Sequence, residues 1–149
     1  MTRLAKRILV PLDGDEGSEA ILPVVAAVAR DSGAAIRLLR VYPVPERREG
    51  PHGRTIEYVD QAMSRLTGEA RDEFARDEAR LPGVPVETVV RFGEPADEIA
   101  LEAEAFGADV IALAEPPRGR LRGLITPGVA QRLARKTSVP TLVLWPSAA

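Results

Sequence analysis

Five short apolar runs punctuate the chain, at Ile8–Leu12, Ile36–Tyr42, Val86–Phe92, Val110–Ala114 and Val139–Trp145. The first, Ile8–Leu12, is short and nearly continuous, as a strand covered on both faces is. Between the runs the apolar positions change to helical spacing. Ile21, Val24, Val25 and Val28 share one helical face, with Ser18 placed to cap the helix and Gly33 beyond its end. Pro23 lies at the limit of what a first turn accepts, so an irregular start is expected there. Ile56, Val59, Met63, Leu66, Ala70 and Phe74 recur at steps of three and four and predict a long amphipathic helix over Thr55–Arg80. Pro95 at a first helical position, Ile99, Leu101 and Phe106 on its apolar side, and Gly107 at its end mark a third helix. A last helix is expected over Pro127–Lys136, capped by Thr126. Pro43–Arg54, rich in proline, glycine and charge, reads as a surface loop.

Strands alternating with helices imply right-handed crossovers and a parallel sheet with helices on both faces. The expected fold is therefore α/β, in a single domain over 1–149. Ligands of such sheets enter at the carboxyl ends of the strands, where the strand order reverses. Asp13, Val41–Pro43, Phe92–Gly93 and the residues from Ala114 onward are the positions to inspect.

Composition narrows the chemistry. The chain has 149 residues, no cysteine and one histidine, His52, which sits in the loop before the long helix. Thiol catalysis and disulfides are excluded, and neither a multi-histidine metal site nor a Ser-His-Asp triad is expected. A formal net charge of −2 gives no drive toward nucleic acid or anionic lipid. No run of apolar residues is long enough to span a bilayer, and the first residues carry no signal-peptide pattern. A cytoplasmic protein without nucleic-acid or membrane partners is expected.

At the strand ends, Ile8-Leu9-Val10-Pro11-Leu12-Asp13-Gly14 with Ser18-Glu19-Ala20 resembles the opening of universal stress proteins. Arg91–Ile99, Gly107–Leu113 and Ser138–Leu144 resemble later segments of that family in the same order. The resemblance implies a Rossmann-like five-stranded sheet in the order 3-2-1-4-5. It also implies a homodimer, which we expect to pair through the last strand at Val139, Thr141, Val143 and Trp145. Many members of the family hold ATP through a loop of the form G-x2-G-x9-G-[ST] after the fourth strand. Here Ala114, Pro117, Pro127 and Gly128 stand at the four positions, and none matches. Pro116, Pro117 and Pro127 have no N–H to offer a phosphate, and Glu115 adds negative charge. Losing two hydrogen bonds to a charged group costs about 3–6 kcal/mol, enough to turn micromolar into millimolar binding.

Three readings follow. The first is a stress-responsive binding or interaction module without a cofactor and without catalysis. The second is a sensor of ATP or AMP that holds phosphate with the arginine-rich loop 118–122. The resemblance would then place nucleotide contacts at Leu12, Asp13, Val41, Gly128 and Val129, joined by Arg118 and Arg120. The third is an enzyme acting on a phosphorylated or adenylated substrate, for which the sequence offers no nucleophile–base pair and no metal cluster.

Overall fold

The computed structural model describes residues 5–115 and 128–145. Its elements run β1 (Arg7–Pro11), α1 (Glu16–Glu19), α2 (Leu22–Ser32), β2 (Ala35–Tyr42), β3 (Arg48–Glu49) and β4 (Thr55–Glu57). They continue with α3 (Val59–Glu78), β5 (Val86–Phe92), α4 (Pro95–Phe106), β6 (Val110–Ala114), α5 (Val129–Leu133) and β7 (Thr141–Leu144). Five strands form one sheet in the order β5-β2-β1-β6-β7, which is 3-2-1-4-5 when only its own strands are counted. Every pairing within it is parallel. β1 meets β2 from Arg7 opposite Ala35 to Pro11 opposite Leu39, and β6 lies on its other side with Ile8 opposite Val110.

The alternation of side chains along each strand divides the core in two. Ile8, Val10, Ile36 and Leu38 face α2 and α3, packing with Leu22, Val25, Ala29 and Phe74. Leu9, Leu39 and Ile111 face the opposite way, against Ile99, Ala103 and Phe106 of α4 and Leu133 of α5. This double burial is why Ile8–Leu12 and Val110–Ala114 read as unbroken apolar runs.

Several details differ from the sequence expectation. The first helix is two pieces, with the chain bending at Ala20–Ile21 before α2 starts with Pro23 in its first turn. The proline lacks only an N–H that the first turn leaves without a partner anyway. The buried stripe is Leu22, Val25, Ala26 and Ala29, with Ile21 just ahead of it, while Val28 is on the exposed fringe. The long helix starts at Val59, where Gln61 Oε1 accepts the Tyr58 N–H at 2.9 Å. The residues before it pair as β4 with β3 in a small antiparallel hairpin, inside what read as loop and helix. Leu101, expected to pack, is half exposed, and its helix is instead held by Ile99, Ala103 and Phe106. α5 is limited to Val129–Leu133, and the expected cap and proline at Thr126 and Pro127 lie outside the described residues.

Candidate functional site

At the carboxyl end of β1 the chain turns at Asp13–Gly14. The Asp13 carboxylate accepts the Asp15 N–H at 2.9 Å, an Asx turn, and the Asp13 N–H donates to Ser18 Oγ at 3.1 Å. Ser18 Oγ in turn donates to the Asp15 carbonyl at 2.9 Å. The serine expected to cap the helix instead ties α1 back to the turn. Its hydroxyl reaches Asp13 because the chain doubles back over five residues. Leu12 is buried on the α2 and α3 side, and its N–H donates to the Leu39 carbonyl at 2.8 Å.

Gly14 has a φ of 88°, a left-handed conformation that favours glycine. The space beside it is taken as well: a Cβ there would fall 2.1 Å from Arg40 Nη1. Arg40 comes from β2, where it shares a face with Ile36 and Leu38. Its guanidinium bridges to Glu73 of α3 at 3.0 Å and lies over the Tyr42 ring, 4.7 Å from the centroid. Tyr42 stacks on Phe92 with centroids 5.8 Å apart. Burial pushes the Tyr42 phenol up, opposed by the nearby Arg40 charge. Arg40, Tyr42 and Phe92 therefore close the strand ends on the side of α2 and α3. This cluster was missed in the sequence, although a charged residue in the buried phase of a strand was its signal. Val41 projects to the other face and packs with the α4–α5 cluster.

The second half of the site lies where β6 ends. Glu115 follows β6 directly, and its N–H donates to the Leu144 carbonyl at 2.9 Å. Its side chain is only 6% exposed. Glu115 Oε1 accepts the Ala130 N–H at 2.6 Å, in the first turn of α5. The two carboxylate oxygens sit 2.6 and 2.9 Å from where a Cβ on Gly128 would be. A chain-derived carboxylate thus occupies the start of α5, where free N–H groups and the helix dipole favour negative charge. Gly128 precedes the helix with no side chain of its own to cap it, and Val129 packs into the α4–α5 cluster. α5 and the turn after it are further tied to the start of α4 by Arg132–Glu94 and Lys136–Asp97 ion pairs.

Of the residues expected to meet a nucleotide, Leu12 and Asp13 are at the end of β1, Val41 is near the end of β2, and Gly128 and Val129 are at α5. Leu12 and Val41 face opposite sides of the sheet. Arg118 and Arg120 lie outside the described residues, as do Pro116, Pro117 and Pro127. Among the described residues no three His, Cys, Asp or Glu side chains form a metal-binding group, and no helix is long and apolar enough to cross a membrane.

Comparison with known proteins agrees with the fold. Universal stress protein MJ0577 of Methanocaldococcus jannaschii is 25% identical over 97% of this chain and 97% of its own. Its solved structure superimposes with a TM-score of 0.79, covering 98% of this chain and 99% of that one. A universal stress protein solved in complex with cAMP shares the fold at TM-score 0.70 and 17% identity, over 97% and 99% of the two chains. Another, from Archaeoglobus fulgidus and in complex with dAMP, does so at TM-score 0.58 and 19% identity, over 94% and 98%. The sequence model of the universal stress protein family matches residues 5–144, and the chain belongs to that family.

Proposed function

We propose that this protein is a stress-responsive, non-enzymatic binding and interaction module of the cytoplasm that does not hold ATP in its family's usual way. The observation that carries this reading is Glu115. Its carboxylate accepts the Ala130 N–H and fills the space over Gly128, so an incoming phosphate would meet a like charge, a filled space and an N–H already taken. The sequence adds three prolines without N–H at Pro116, Pro117 and Pro127. Titration calorimetry with ATP, AMP and cAMP is expected to give a Kd no tighter than about 1 mM, from the loss of two charge-assisted hydrogen bonds. A micromolar Kd for any of them would overturn the reading.

The complexes of relatives with cAMP and dAMP favour one second reading, a nucleotide sensor using the loop arginines. In that case Arg118 and Arg120 supply phosphate contacts by side chain. Replacing both with alanine would then weaken binding at least tenfold, and an unchanged affinity would remove this mechanism.

The partner we propose first is a second copy, paired through β7. That strand is the sheet edge, and an unpaired edge is a template for another strand. Leu142 and Trp145 are 43% and 51% exposed along it. The strand itself covers Thr141–Leu144, shorter than Val139–Trp145, because the Val139 N–H turns to Thr137 Oγ1 at 3.1 Å. Val143 packs with the α4–α5 cluster, so a lysine there would disturb the fold as well as the edge. Leu142→Lys is the cleaner test. Sedimentation is expected to show a dimer at micromolar concentration that this substitution converts to monomer. A monomeric parent, or a dimer that survives the lysine, would refute the arrangement.

A further inference from the structure

Outside the β6–α5 site, Asp77 of α3 is buried to 3% exposure, and its Oδ1 has no hydrogen-bond partner. Its carboxyl is within hydrogen-bond reach of Glu19 in α1. Two carboxyl groups can share such a bond only if one of them holds a proton. Other charges face the pair. Arg80, just beyond α3, reaches Glu19 at 3.5 Å, while Glu73 lies one turn before Asp77 and is itself paired with Arg40 of β2. Arg30 of α2 borders the same space. Glu19 lines a groove of about 680 Å³ together with Ala20, Pro23, Ala26, Arg30 and Arg80, from which water can deliver a proton to the pair.

The element held by this contact is weakly made. α1 has four residues, and its turns close through long hydrogen bonds of 3.3 Å from Glu19 N to Asp15 O and 3.3 Å from Ala20 N to Gly17 O. Ile21 N follows at 3.4 Å from Ser18 O. A segment this short has little stability of its own. It is also the segment whose Ser18 hydroxyl fixes the Asp13 turn.

We infer that Asp77 and Glu19 form a proton-operated latch between α3 and α1, closed when the pair shares a proton and loosened when both carboxyls ionise, so that acidification firms the turn at Asp13. Burial, then the Glu19 charge, then the shared hydrogen bond push the Asp77 carboxyl up to about 6 from its ordinary 3.8. The sign follows from linkage. A raised folded value means that the contribution to stability is complete below the ordinary value and is lost as pH rises through about 6.

Amide hydrogen exchange on the full chain tests this. Corrected for intrinsic rates, protection of the Ser18–Ile21 amides is expected to fall about tenfold between about pH 5 and about pH 7.5, as local opening becomes easier. Asp77→Asn supplies a permanent donor to Glu19 and should make that profile flat. Glu19→Gln, at a more accessible position, should flatten it too, which keeps the test decisive if the first variant folds poorly. A flat profile in the parent, or an unchanged slope in the folded variants, would overturn the inference. The same slope in the α4 amides would assign the effect to global unfolding and overturn it equally.

Discussion

Glu102→Ala is expected to lower the stability of the protein by about 3 kcal/mol, a shift of roughly 6–12 °C in Tm for a chain of this size. Glu102 lies on the inner face of α4, and its side chain is 4% exposed. One oxygen accepts from Arg37 Nη1 of β2 at 2.6 Å and the other from Arg91 Nη1 of β5 at 3.0 Å. One carboxylate therefore ties α4 to two strands. Arg37 also lies over the Phe106 ring, 4.2 Å from its centroid, and reaches Glu87 at 3.0 Å. Arg91 has a second partner in Glu98 at 2.7 Å. Removing Glu102 leaves two guanidiniums one partner short at a face with little water. Their remaining partners, and exposures of 18% and 31%, hold the loss to the lower end of what breaking a buried pair costs. Glu102→Gln keeps the shape and one acceptor and should cost about half as much. Urea unfolding at neutral pH measures both, and a loss below about 1 kcal/mol for the alanine variant would show that the network is replaceable by water.

The parts of the fold that were legible in the sequence are those set by local periodicity. Ile8–Leu12 and Val110–Ala114 announce doubly covered strands because both phases of the alternation are apolar. Gly107 ends its helix with a φ of 70°, as a glycine after an apolar stripe suggests. The β3–β4 hairpin was not legible. It pairs only Arg48 with Glu57 and Glu49 with Thr55, and contacts such as Arg65–Glu57 at 2.9 Å cross from the hairpin to α3. Thr55 and Ile56 fit a helical spacing equally well, so the spacing predicts a helix that starts ahead of Val59. Ser18 misled for the opposite reason. Its local pattern suits a helix cap, but the free N–H of Asp13 is nearer once the chain has turned. Glu115 was legible as a charge in the wrong place for a phosphate. Its role as the cap of α5 was not, because it lies 15 residues ahead of the N–H it accepts, whereas sequence signatures of capping span only three or four. The Asp77–Glu19 contact joins positions still farther apart, and nothing in either segment marks it.

The arrangement at α5 makes a quantitative prediction of its own. Glu115→Ala removes a charge-assisted hydrogen bond to a first-turn N–H and is expected to cost about 2 kcal/mol. Gly128→Ala is expected to cost about 1–3 kcal/mol for a different reason. The φ of Gly128 is −68°, which any residue adopts, so there is no backbone strain. The cost is steric: the new methyl would lie 2.6 to 3.0 Å from the Glu115 carboxyl group, which must move and release Ala130. In the Glu115→Ala background that obstacle is gone, and Gly128→Ala should become nearly neutral. The two costs would then fail to add by about 1–2 kcal/mol, the signature of one shared contact. Additive losses would mean that the carboxylate does not sit over Gly128. The Glu115→Ala variant alone also separates occupation of the helix start from loss of the phosphate loop. Removing Glu115 frees the Ala130 N–H of α5 but leaves Pro116, Pro117 and Pro127 without donors. ATP binding should therefore stay weaker than about 1 mM in the Glu115→Ala protein. If that single substitution brought binding into the micromolar range, the glutamate alone would be what keeps the nucleotide out.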